Sequence, residues 1–105
     1  MLFDRTKAAT GRPAPDLEAQ ARHHRDRMAG MWAAELLGLI GHAAQDYARE
    51  LAHPHDADAH ADDEQVISRL CRDLRGKAGP TEIRRKLAHL LHEARRQLMS
   101  EGKRR

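Results

Sequence analysis

Apolar side chains recur along this chain in short helical stripes, separated by polar and glycine-rich punctuation. Leu17, Ala21, Met28, Met31 and Trp32 fall on one stripe at about 100° per residue, with His24 and Glu35 inside it. Asp16 stands where an N-cap would be, and Gly38 and Gly41 bracket a turn, so the spacing predicts a first helix over residues 17–37. Ile40, Ala44, Tyr47, Ala48 and Leu51 repeat the pattern and predict a second helix over residues 42–52. From His53 to Ala61 no apolar residue is larger than alanine, which is the composition of a loop. Asp62 followed by Gln65 is a capping-box signature. It opens a third helix with Val66, Ile67, Leu70 and Leu74 inward, which stops between Gly76 and Gly79. The last segment is the clearest: Gly79 as N-cap, Pro80 at the first helical position and Glu82 at the third. Ile83, Leu87, Leu90, Leu91, Ala94 and Leu98 share one arc of that helix, and Arg85, Lys86, His89, His92 and Arg96 face the other way.

Amphipathic helices with short connections cannot bury their stripes singly. The expected fold class is therefore all-α: a four-helix bundle over residues 16–105, with Trp32, Tyr47, Leu70, Leu87 and Leu91 in its core. Residues 1–15 contain Gly11, Pro13 and Pro15 in a short polar stretch. Each proline disfavours helix at the residue before it, so this segment is expected to be a disordered N-terminal arm in the free protein.

Composition sharpens that picture by exclusion. With one Val and three Ile in 105 residues, an all-β fold is excluded. No stretch approaches the roughly 20 apolar residues of a membrane span, and the charged start Met1-Leu2-Phe3-Asp4-Arg5 is not that of a signal peptide. Cys71 stands alone, which excludes an internal disulfide and predicts a reducing, cytoplasmic compartment. The net charge of +3 hides a strong asymmetry. Residues 1–52 are neutral, residues 53–65 carry five acids and no Lys or Arg, and residues 66–105 carry twelve positive against four negative side chains.

Few residues suggest chemistry. His53, His55 and His60, interleaved with Asp56 and Asp58, are the most metal-like group. Alternating alanines offer nothing to position such ligands, so a solvated connector is the plainer reading. His89 and His92 are three apart, not four, and lie on the polar face of their helix. His24 has the position of a satisfied core histidine, and Cys71 that of a small buried hydrophobe. Gly38-Leu39-Ile40-Gly41 lacks the Lys-Ser/Thr of a phosphate loop. No nucleophile is assembled, so an enzyme is not expected and no cofactor is called for. The basic face of the last helix could follow a nucleic-acid backbone, but no base-stacking aromatic accompanies it.

Particular residues carry the reading further. The segment Met28 to Leu39, with Trp32-Ala33-Ala34-Glu35 followed by Leu37-Gly38-Leu39, and then Asp46-Tyr47-Ala48-Arg49-Glu50, resembles the bacterial F-type ATP synthase inhibitors called subunit zeta. Glu82-Ile83-Arg84-Arg85-Lys86 is similar to the Gln-Ile-Arg-Arg-Lys that opens that family's last helix, and Phe3-Asp4-Arg5 to its Phe-Asp-Asp-Arg. The resemblance implies a non-catalytic regulator whose N-terminal arm enters the catalytic sector of the ATP synthase and stops ATP hydrolysis. Phe3, Asp4, Arg5 and Lys7 would be the partner-binding positions, with Leu17 at the base of the arm. The family's arm is a continuous helix with further phenylalanines. Here Gly11, Pro13 and Pro15 interrupt it, at about 3 kcal/mol or more per proline in a helix interior, which predicts weaker inhibition. The family also raises nucleotide responsiveness, for which no residue here identifies contacts. The alternative functions are a metal-binding module working through the His-rich loop and a nucleic-acid-associated module working through the basic helix.

Overall fold

The computed structural model describes residues 15–52 and 59–103, with side chains from Leu17 to Ala52 and from Asp63 to Glu101. These residues form four helices and no strand: α1 (Pro15–Leu37), α2 (Gly41–Leu51), α3 (Ala59–Asp73) and α4 (Pro80–Lys103). The expected four-helix, all-α architecture is the observed one. The arm up to Ala14 and the centre of the His-rich connector lie outside the described residues.

Two helix starts differ from expectation. α1 begins at Pro15, one residue before its expected Asp16 cap. A proline's fixed φ and missing N–H suit the first turn of a helix, where that N–H has no partner anyway. α3 begins at Ala59, three residues before the Asp62 capping box. The alanines there favour helix. The other ends follow the punctuation. Gly38, at φ 78°, closes α1 as a paired carboxy-terminal cap. The Gly38 amide donates to the Glu35 carbonyl at 3.1 Å and the Leu39 amide to that of Ala34 at 2.9 Å. Gly79 caps α4, its carbonyl accepting the Ile83 amide at 2.9 Å.

α1 is the centre of the bundle, packed against α2 on one side and α4 on another, with α3 against α4. The core joins Ala29 and Ala33 of α1, Leu51 of α2, Val66, Leu70 and Leu74 around α3, and Ile83 and Leu87 of α4. Trp32, Tyr47, Ile67, Cys71 and Leu90 are partly buried against it. Leu70 and Leu87 are thus core residues as expected, whereas Trp32 and Tyr47 sit at its edge and Leu91 is only half-buried.

The stripe expected on α1 is rotated. Its buried row is Ala21, Arg25, Ala29 and Ala33, flanked by Gly30 and Ala34, while Met31 is exposed. His24 and Glu35 leave the core accordingly, and Ile40 ends 83% exposed. The reason is distance. A Cβ built on Gly30 would lie 2.5 Å from the Ala48 Cα, so α1 and α2 cross too closely for large side chains. Small residues at four-residue spacing make that approach possible.

Candidate functional site

The arm would leave the bundle from the first turns of α1, and those turns rest on the end of α4. Residues near 18 on α1 lie beside residues near 95 on α4, and Trp32 lies beside Lys86, so the two helices run antiparallel. Leu17, Ala21, Leu98 and Met99 line an open, mainly apolar groove of about 280 Å³, with Glu18 and Arg95 at its rim. Leu17 is half-buried there.

Polar pairs reinforce this seam. Arg95 donates to both Glu18 carboxylate oxygens, Nε at 3.2 Å and NH2 at 2.6 Å, the two-point geometry that fixes orientation as well as distance. The Arg95 bond holds the Glu18 carboxyl below its ordinary value, against the opposing effect of partial burial, and Glu18 in turn raises the Arg95 guanidinium. One to two turns on, His24 Nε2 donates to Gln97 Oε1 at 2.7 Å. His23 Nδ1 reaches the Ala52 carbonyl at the end of α2, at 3.2 Å.

On the α3 side the same turns are held by buried charge. Arg25, only 3% exposed, donates to Asp63 at 2.7 Å and to its neighbour Asp26 at 2.8 Å. Burial pulls the Arg25 guanidinium down, but the bonds to Asp63 and Asp26 outweigh it and leave the group raised. Burial also raises Asp26, more than the adjacent guanidinium lowers it. Arg22 reaches Asp63 at 3.6 Å.

A second network ties α2 to α3. The Tyr47 hydroxyl donates to Asp73 Oδ2 at 2.7 Å, and Arg69 bonds Asp73 at 3.1 Å and Glu50 at 3.3 Å. The Arg69 guanidinium also lies 5.1 Å from the Tyr47 ring centroid. Burial would raise Asp73, yet bonds from Tyr47, Arg69 and Arg72 together bring it below its ordinary value. The Tyr47 phenol is pushed far up by burial and by the Asp73 carboxylate.

None of these groups forms a reactive constellation; every short contact joins one helix to another or neighbours on one helix. Of the residues expected to bind a partner, Leu17 is placed at the base of α1, and Phe3, Asp4, Arg5 and Lys7 lie outside the described residues. His53 and His55 lie outside them as well, and His60 falls in the first turn of α3 with its side chain undescribed. Among the described residues, no group of three His, Cys, Asp or Glu could hold a metal ion. Nor is any described helix long and apolar enough to cross a membrane. Sequence reasoning missed Glu18, Arg25 and Arg95. A charged residue in a row of alanines at four-residue spacing, Ala21, Ala29 and Ala33, was the one available signal for Arg25, and the other two carried none.

The described residues define a small all-α helical module. Residues 4–97 match the family model for the ATPase inhibitor subunit zeta. The chain belongs to that family, which makes it a regulator of the ATPase-inhibitor type. No curated protein and no solved structure matches it.

Proposed function

We propose that this protein suppresses ATP hydrolysis by the F-type ATP synthase, and that its N-terminal arm does so by inserting into the catalytic sector. The observation that carries the reading is the extent of the family match, which starts at Asp4 inside the arm and ends at Gln97 in α4. Arm and bundle thus belong to one inhibitor unit. Phe3 is the large apolar anchor of the arm, Asp4, Arg5 and Lys7 are its charged contacts, and Leu17 seats its base on α4. A segment that becomes ordered inside a cleft between moving subunits blocks rotation without any chemistry of its own.

The ordering has a cost, about 1–2 kcal/mol of backbone entropy per residue fixed. Burying Phe3 returns only about 1.5–3 kcal/mol of it, so the charged contacts must supply part of the remainder. Inhibition weaker than that of relatives with an unbroken helical arm follows from this balance.

The test is an ATP hydrolysis assay on the F-type ATP synthase of the same organism, titrated with the full chain and with a variant lacking residues 1–14. Inhibition by the full chain and its loss in the truncated one is the expected result. Equal inhibition by both would move the activity to the bundle and overturn the role of the arm.

A further inference from the structure

The central cluster takes Ala29 and Ala33 from α1, and nearer the start of the helix Ala21 and Arg25 are buried as well. What holds the first turns of α1 to α4 is the seam of Leu17 and Ala21 on Leu98 and Met99, the Glu18–Arg95 pair and the His24–Gln97 bond. We propose that the two-point Glu18–Arg95 pair is a positioning clasp that fixes the direction in which the arm leaves the bundle, and that inhibition depends on it. This inference rests on the inhibitory role of the arm and adds a named control over it.

Three observations converge. The side chains of Glu18 and Arg95 are 38% and 51% exposed, and a pair so open to water adds little to global stability. Its geometry is nonetheless the demanding one, with both carboxylate oxygens engaged by one planar guanidinium. It also sits within one turn of Pro15, where α1 begins and the arm departs. The first turn of α1 is the point from which the arm departs, so its seating on α4 sets where the arm begins. On the α3 side Arg25 and Asp63 hold the same turns, so releasing the clasp frees the seam with α4 while α1 stays attached.

The test uses the full chain as Arg95→Glu and as the exchanged pair Glu18→Arg with Arg95→Glu. Two readouts are taken: inhibition of ATP hydrolysis, and amide hydrogen exchange of residues 17–24 in the protein alone. Arg95→Glu is expected to raise the concentration for half-inhibition about tenfold, within the usual range of coupling between sites. It should also speed exchange of those amides, with the thermal midpoint moving by no more than about 2 °C. The exchanged pair should restore both readouts, which a purely structural disturbance would not do. Inhibition unchanged by Arg95→Glu, or not restored by the exchange, overturns the clasp. If the unaltered protein fails to inhibit, the inhibitory role itself falls. The exchange measurement then still decides whether the pair holds these turns, so the two failures remain distinct.

Discussion

Replacing Gly30 by alanine sets two well-characterised effects against each other. Gly30 is buried in the interior of α1, where alanine is favoured over glycine by about 1 kcal/mol through helix propensity alone. The new Cβ would lie 2.5 Å from the Ala48 Cα, 3.0 Å from its Cβ and 3.4 Å from its carbonyl oxygen. Carbon atoms prefer about 3.5–4.0 Å, and the nearest atom here is backbone, which cannot rotate aside. The helices must therefore separate by about 1 Å, loosening the contacts of Ala29, Ala33 and Ala34 with α2. Overpacking of this kind costs about 1–3 kcal/mol, so the net expectation is a loss of about 1 kcal/mol. For a domain of this size that lowers the thermal midpoint by about 4–8 °C. Thermal unfolding followed by circular dichroism at a helix band measures it. Adding Ala48→Gly should bring no recovery, because the 2.5 Å contact is with the Cα and remains. A midpoint raised by Gly30→Ala would show that propensity wins and that the α1–α2 approach is not a constraint.

Four further outcomes are expected. Arg25→Met leaves Asp26 and Asp63 without their shared cation and should cost about 3 kcal/mol in urea denaturation, whereas a loss under 1 kcal/mol would make the buried pair dispensable. Tyr47→Phe removes the hydroxyl that donates to Asp73 and should cost about 1 kcal/mol by the same assay. Because Asp73 is lowered from 3.8, its contribution is present above that pH and is lost as pH falls through its folded value. Asp73→Asn should accordingly flatten the decline of stability below pH 4, and an unchanged acid profile would refute the assignment. Ile40→Ser, at the exposed N-cap of α2 where no side chain caps the helix, should raise stability by about 1 kcal/mol, and no gain would show that the cap is not limiting.

The residue pattern made the number of helices and most of their ends legible, since glycine, proline and capping residues act within a few positions of where they stand. It was equally sound for α3 and α4, whose inward faces are built from Val66, Leu70, Leu74, Ile83 and Leu87. On α1 the same logic pointed to the wrong face. A wheel weighted by large apolar residues favours Met28, Met31 and Trp32, but the closest contact of this bundle selects for the absence of volume. Nothing local signals that Ala48 will arrive opposite Gly30, 18 residues away. The clasp was hidden for the same reason. Glu18 and Arg95 lie on polar faces of their own helices and meet only because those helices run antiparallel. Recognisable blocks such as Trp32-Ala33-Ala34-Glu35 signalled the family, which the match over residues 4–97 bears out.

The antiparallel course of α1 and α4 also decides how this protein can be labelled. Because α4 ends beside the start of α1, a purification tag or fluorescent protein fused after Arg105 would be tethered next to the root of the arm and could crowd any cleft it enters. The turn around Lys77, between α3 and α4, is exposed and stands at the opposite end of α4. A dye carried there reports on binding from the far side of the bundle, whereas a bulky fusion after Arg105 would imitate the loss of the arm.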